Sequence, residues 1–591
     1  MTLFLASWGA NDEVRARAVE TLRDYAREFP EAPGRGIRET EWAGPVHVAW
    51  VSGDGPATAE ERTPGRVSLV DGVALSASGD SVVTAAVLAA KPPGELCADP
   101  ELDGQFALVD ATADTLDIAV DTLGLCLLHW CRTPDGWFVS NRVEPLARLA
   151  GKTTIDQDAA TAFLSVGWVT GERTLLTGVN TVPGGAHWSW RPDTEPVFAK
   201  PRDPLRILGL PRARVDIPAL RDALVARCAT VGGWLGGVES GLTSGLDSRL
   251  LFMLLRAGDV DTVYITGGAP DSPDVQVSAR IADTYGIDRR YIPPLPEDEL
   301  RRNWHRVCRQ LLAQNDGMVS LWQASDLMRP PVAAPVSLWG VGGAIGRSFY
   351  GMPRDLLEFR RGALRARFVD KQAKDADGLL TAEGTATIRR RLREFADDVL
   401  ARGTAPGVLS DAFLTLELIG RWAAPNAHKI HPVPVFAPLS TRPWLRAAFS
   451  MSPVQRYSEP LHYRLFQLLA PGEDIANHPS GKWRSQLPYL NLCHGYARQK
   501  VLQNSGRDPL GFRARILEDV RHDVAARCLD RTSSSLWNVV SRPAFEAVMS
   551  DRTSPEQRAP MARSLYGAIT LFEYEALRMG SFDDVASPVG P

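Results

Sequence analysis

The sequence predicts a mixed α/β and α+β chain in two parts: a β-rich amino-terminal sandwich over residues 1–205 and a parallel-sheet domain with a helical end over residues 206–591. Three observations carry this reading. The first two hundred residues hold short β-rich segments separated by turn residues. A proline-rich stretch follows, and beyond it strands and helices alternate. With 50 glycines and 43 prolines in 591 residues the loops are long, though far from a collagen-like or low-complexity share.

Each element has its own signal. One helix, about Glu13 to Phe29, interrupts the first strands; Phe106 to Asp110, Thr115 to Asp121, Leu125 to Trp130 and Gly136 to Ser140 alternate as antiparallel strands do. Arg191 to Pro218 carries six prolines and little periodicity, which reads as a linker and sets the boundary near residue 205. Val238 to Leu242, Thr262 to Thr266, Arg290 to Ile292 and Val336 to Trp339 then read as strands. Between them lie helices at Ser248 to Arg256, at Pro273 to Tyr285 with Ser272 as its cap, and around Asp298 to Leu312. That is the pattern of a parallel sheet covered on both faces, and beyond about residue 350 the chain turns mainly helical.

Composition narrows the function classes. The 66 basic and 70 acidic residues nearly cancel, so no whole-chain field draws nucleic acid or an anionic membrane. Seven cysteines scattered from Cys97 to Cys528 give neither a disulfide framework nor zinc spacing, and Cys126 and Cys131 read as buried strand residues. The first residues lack a basic leader and a long apolar stretch, and no run approaches eighteen apolar residues, so the expectation is a cytoplasmic protein with no membrane partner.

The most informative segment is Leu242-Thr243-Ser244-Gly245-Leu246-Asp247-Ser248-Arg249, placed where the first parallel strand turns into a helix. A small, hydroxyl-rich turn there points backbone N–H groups outward at the positive end of a helix dipole, which suits a phosphate or pyrophosphate. Thr243, Ser244 and Ser248 add hydroxyls; Asp247 would repel a phosphate unless Mg²⁺ stood between them. The plainer reading is a serine-capped helix. A nucleophile elbow is disfavoured because threonine, not serine, is central in Gly241-Leu-Thr-Ser-Gly245, and no GxxxxGK[ST] phosphate loop occurs. Open parallel sheets bind ligands across the carboxyl ends of their strands, so adenine is expected near Leu242, Ile265 and Gly342.

Thr243 to Ser248 resembles the SGGxDS pyrophosphate loop of the asparagine synthetase family, whose members cleave ATP to AMP and pyrophosphate, with Thr243 in place of serine and Ser244 in place of the first glycine. Asp103-Gly-Gln-Phe-Ala107, Asp121-Thr-Leu-Gly124, Phe138-Val-Ser-Asn-Arg142 and Gly178-Val-Asn-Thr-Val-Pro-Gly184 are similar, in the same order, to that family's glutamine-amidotransferase (Ntn-type) domain. Pro438 to Ala448 resembles its PFLD segment. The resemblance implies an amidotransferase-like sandwich followed by an adenine-nucleotide α-hydrolase-like synthetase domain, with ATP and Mg²⁺ as cofactors and Asp247 as metal ligand.

Two departures narrow it. Glutamine-using members carry a cysteine directly after the initiator methionine, activated by the exposed amine, and here that residue is Thr2. The attacking amine then comes from the substrate, as in β-lactam synthetases and lasso peptide cyclases. The turn Leu338-Trp-Gly-Val-Gly-Gly-Ala-Ile-Gly-Arg347 is similar to the GxGG turn with a nearby arginine of the lasso branch. It also puts Ala344 at or beside the place where the family has a second metal-binding acid, so that one ion is lost, displaced, or held by another carboxylate such as Asp316.

The resemblance thus implies an ATP-dependent lasso peptide cyclase. It would adenylate an Asp or Glu side chain of a leader-processed linear core peptide and close a macrolactam with the peptide's amine, alongside a leader peptidase and a leader-binding protein. The alternatives are an asparagine or β-lactam synthetase-like amide ligase, and an inactive nucleotide- or peptide-binding scaffold. Lys482, one of only eight lysines, lies in a Gly/Pro loop that resembles the place where family members reach the intermediate with a lysine. Glu417, flanked by apolar residues, is the candidate general base, its pKa raised by desolvation unless Arg421 simply pairs with it.

Overall fold

The computed structural model describes residues 3–28, 36–51, 59–328, 332, 334–348, 351, 353–356, 360–402, 404, 406–428, 433–471 and 511–580. They form a mixed α/β structure with three sheets, one of them parallel. The strands are β1 (Leu3–Trp8), β2 (Arg38–Glu39), β3 (Val46–Val51), β4 (Ala59–Thr63), β5 (Arg66–Leu75), β6 (Asp103–Thr112), β7 (Leu116–Val120), β8 (His129–Thr133), β9 (Gly136–Ser140), β10 (Asn180–Thr181), β11 (His187–Trp190) and β12 (Val197–Ala199). In the parallel sheet they are β13 (Val238–Gly241), β14 (Thr262–Gly267), β15 (Arg289–Ile292), β16 (Ser337–Leu338) and β17 (Val435–Phe436).

The amino-terminal strands make two antiparallel sheets, ordered β10-β8-β9-β1-β3-β2 and β12-β11-β7-β6-β5-β4. Alternation along each strand explains the layering. Phe4 and Ala6 of β1 meet Val67, Leu69, Val109 and Ile118 between the sheets, while Leu3 and Leu5 face the helix Asp12–Glu28 on the outside. The second sheet turns Val70, Leu108 and Phe106 toward the short helices Ala85–Ala89 and Glu95–Ala98. The result is a helix–sheet–sheet–helix sandwich.

The parallel sheet runs β15-β14-β13-β16-β17. Its first strand in sequence is central, so the chain leaves β13 toward β14 on one side and later returns to β16 on the other, which makes the carboxyl end of β13 a topological switch point. The helix Leu246–Ala257, buried from Leu250 to Leu255, packs on this sheet and against the helices Ile217–Leu235 and Pro460–Leu469, which also touch each other. The fifth strand, β17, lies outside the expected set; it consists of two residues, whose pairing with β16 comes from the fold rather than from a local pattern.

One expected strand is displaced. Leu125 to Cys126 is a turn, and the strand begins at His129, because the Asp121 carboxylate accepts from the N–H groups of Leu123, Leu125 and Cys126 at 2.8–3.1 Å and closes the chain on itself. Cys126 is therefore buried in a loop, whereas Cys131 sits in β8 as expected. The stretch read as a linker holds β12 and a short helix, Pro204–Leu208. Polar contacts tie the parts on either side of it. Arg227 meets Asp103 at 3.0 Å, and Gln105 exchanges two hydrogen bonds with the backbone of Ala437. Arg442 N–H donates to Asp103 at 3.0 Å, so the segments beginning at Asp103 and Pro438 lie against each other. Among the described residues no helix is long and apolar enough to cross a membrane.

Two buried carboxyls give the fold a pH signature. Burial pushes Asp121 up to about 6 against the pull of its backbone donors, and pushes Asp316 up to about 6 against the nearby Arg142. Both values lie above the roughly 3.9 of an unfolded aspartate. Between about pH 4 and 6 the native chain therefore holds protons that the unfolded chain has lost, and these groups make stability fall as pH rises through that window, by about 2 to 3 kcal/mol each. Urea unfolding at pH 4 and pH 6.5 is expected to show a smaller fall for Asp316→Asn than for the unsubstituted chain.

Candidate functional site

The turn from β13 into the helix Leu246–Ala257 is built by its own side chains. Leu242, fully buried, pairs its N–H with Ile265 O at 2.8 Å across to β14, so two residues expected at the adenine position stand side by side. Thr243 Oγ1 and Ser248 Oγ lie 2.7 Å apart; Thr243 N–H donates to Ser248 Oγ at 3.2 Å and Gly245 N–H to Thr243 Oγ1 at 3.1 Å. Ser244 N–H donates to Asp274 at 2.9 Å, and its hydroxyl reaches the same carboxylate. The three hydroxyls expected to face a phosphate thus shape the turn instead. What the turn presents is backbone: the first intrahelical bond is Arg249 N–H to Gly245 O at 3.2 Å, so the N–H groups of Leu246, Asp247 and Ser248 precede it at the positive helix end.

A second turn, from the carboxyl end of β16, packs onto the first. It runs through Gly340 and Gly342 into the short 3₁₀ segment Gly343–Arg347. A Cβ on Gly343 would stand 2.3 Å from the Asp247 carboxyl carbon, so only a bare backbone leaves room for that carboxylate. Gly342 serves a different neighbour. Its φ is 96°, and a Cβ there would come 2.1 Å from Leu439 O, while Trp444 Nε1 donates to Gly342 O at 3.0 Å. Gly342→Ala is expected to cost about 2 to 5 kcal/mol, combining left-handed strain with a backbone clash, measured by denaturant unfolding.

Asp247 is engaged on both oxygens. His462 Nε2 donates to Oδ1 at 2.7 Å, and Arg347 Nη2 donates to Oδ2 at 2.8 Å. Burial works to raise this carboxyl, but Arg347 and His462 outweigh it and hold it below the usual carboxylate range. Glu459 lies 3.9 Å from Arg347. The arginine is anchored through its neighbour: Ser348, at φ 45°, donates to both oxygens of Asp411 at 2.9 and 3.0 Å, and Asp411 pairs with the buried Arg456.

These residues do not fit a protein-held Mg²⁺. Magnesium demands several oxygen ligands in near-octahedral array. Here the carboxylate at the turn is taken by two nitrogen donors, position 344 is alanine, and among the described residues no group of three His, Cys, Asp or Glu side chains is placed to hold a metal. Asp316, the substitute considered from the sequence, is committed elsewhere: it accepts from Val143 and Glu144 N–H at 3.2 and 3.1 Å, capping a helix of the amino-terminal part.

Glu417 stands apart in the sequence and in its contacts. Glu417 is buried, and burial pushes its carboxyl up, with Arg421 and the Gly171 N–H pulling it partly back. Its raised pKa agrees with the expectation; the carboxylate accepts from Gly171 N–H at 3.0 Å and lines a cavity with Arg391, Leu392 and Phe413, at a contact between sequence-distant segments. Lys482 lies outside the described residues. Sequence reasoning missed His462, which stands 215 positions from Asp247 with no local signal, and Asp274. Asp274 had a signal, since it follows the Ser272 cap by two residues in the first turn of the helix Pro273–Tyr285.

The described cysteines offer no thiolate. All six are free and buried, and burial pushes Cys131 and Cys228 up to about 12 and Cys97, Cys126, Cys308 and Cys528 upward as well.

No family model matches the chain, and no curated protein matches it. Among solved structures it is similar to an allosteric regulatory enzyme of purine biosynthesis, at 12% identity and a TM-score of 0.23, over 49% of this chain and 65% of that one, just under two thirds of its length. It is also similar to the glutamine phosphoribosylpyrophosphate amidotransferase of B. subtilis complexed with ADP and GMP, at 11% identity and a TM-score of 0.22, over 59% of this chain and 77% of that one. Likenesses this slight carry no argument about what the chain does.

Proposed function

We propose that the chain is an ATP-dependent, AMP-forming carbon–nitrogen ligase acting on a linear peptide and closing a macrolactam, as the resemblance of Thr243–Ser248 to a pyrophosphate loop implies. One observation supports it most: that turn stands at the switch point of a parallel sheet, with N–H groups of a helix start and the Arg347 guanidinium converging beside it. A carboxylate oxygen of the peptide attacks the α-phosphorus and the bond to pyrophosphate breaks. The peptide's amine then attacks the acyl carbon, a proton leaves the nitrogen, and AMP departs. The backbone of the turn holds the polyphosphate; Leu242 and Ile265 flank the base, and Lys482 is assigned to the intermediate by resemblance alone. The buried thiols of the described residues favour an amine from the substrate over ammonia from glutamine.

Mass spectrometry tests this directly. A peptide that loses one water without gaining nitrogen, in the presence of ATP, is the expected product; a product gaining an amide nitrogen would indicate the ammonia-using amide ligase instead. Ala344 and the engaged Asp247 favour one other reading, a nucleotide-binding scaffold without turnover. Any peptide-dependent conversion of ATP to AMP eliminates it.

A further inference from the structure

We infer that the Arg347 and His462 nitrogen donors occupy the place of a protein-held divalent cation at Asp247, so that the fixed positive charge beside this carboxylate is the Arg347 guanidinium. The inference rests on the proposed function only in taking this turn as the point where a polyphosphate arrives; the geometry stands without it.

An aspartate beside an anion site repels the anion unless a positive group stands against its carboxylate. Each Asp247 oxygen already has one nitrogen donor, at 2.7 and 2.8 Å, from residues 100 and 215 positions away. Neither donor is a loose surface group. The His462 side chain is fully buried, with its ring edge-on to Trp444 at 5.3 Å, and the Arg347 side chain is 14% exposed. Arg347 is held in place by the Ser348–Asp411–Arg456 chain and, more loosely, by Glu459. A metal at Asp247 would have to displace two ordered donors, position 344 offers it only alanine, and among the described residues no group of three His, Cys, Asp or Glu side chains is placed to hold it. On this account Mg²⁺ reaches the site only as part of a bound nucleotide.

Mn²⁺ titration of the nucleotide-free protein, read from the loss of the free-ion electron paramagnetic resonance signal, tests the inference. The unsubstituted chain is expected to hold no Mn²⁺ more tightly than about 1 mM, the weak end of hard-cation sites. The double variant Arg347→Ala with Ala344→Asp, which takes the donor from Asp247 Oδ2 and supplies a second carboxylate, is expected to bind at least tenfold more tightly. A Mn²⁺ site tighter than about 1 mM in the unsubstituted chain that is lost in Asp247→Asn would overturn it; the titration of the unsubstituted chain needs no variant to fold. Binding of a fluorescent ATP analogue is measured separately: a chain that never binds it removes the nucleotide reading, and the Mn²⁺ result still decides this one.

Discussion

Asp411→Ala is expected to destabilise the chain by about 3 to 5 kcal/mol. Asp411 and Arg456 are fully buried partners. Without the carboxylate, Arg456 keeps Ala448 O and Met451 O at 3.1 and 2.7 Å and the face of Phe449 at 4.9 Å, none of which neutralises it. A charge left buried and uncompensated costs far more than the pair itself contributes, so Asp411→Ala paired with Arg456→Met should recover much of the loss. Guanidinium unfolding midpoints measure both. Ser348 loses both of its side-chain bonds to that carboxylate in the same variant, which loosens the segment carrying Arg347. An Asp411→Ala chain as stable as the original would show that the pair is not buried as described.

The second large effect is on chemistry. Asp247→Ala is expected to lower peptide-dependent pyrophosphate release roughly hundredfold or more, comparable to removing a fixed polar group from a reacting site. The carboxylate itself touches no phosphate on this account; it aims Arg347 and His462, and its loss leaves two nitrogen donors without their acceptor beside the turn. Asp247→Asn should fall between, since an amide oxygen can still accept from one of them. A thermal melt of each variant separates lost aim from lost fold.

Where local chemistry decides an element, the sequence was legible. The helix Pro273–Tyr285 matches its expected bounds because Ser272 caps it, proline opens it and Gly286, at φ 61°, closes it. The turn at Thr243 was legible as a turn for the same reason, and its place at a strand end followed from alternation. What its hydroxyls do was not, because Ser244 gives its own to Asp274, thirty residues on. Glu417 makes the same point: apolar flanks foretold a buried carboxyl with a raised pKa, yet its partner Gly171 lies 246 positions away. The His462–Asp247–Arg347 cluster was legible only in part, through the arginine beside the glycine turn, since imidazole and carboxylate meet only when the helix Pro460–Leu469 packs on Leu246–Ala257. The Leu125 strand failed because one carboxylate at Asp121 prevailed over a β-rich run.

The central claim is that this turn binds ATP for adenylation. Incubating the full chain with ATP labelled at the α-phosphate and a linear peptide bearing a free amine and an Asp or Glu side chain tests it most directly. The account predicts labelled AMP, formed only when the peptide is present, in equal amount with pyrophosphate and cyclised product. Labelled ADP, or AMP formed equally by the Asp247→Ala chain, would contradict it.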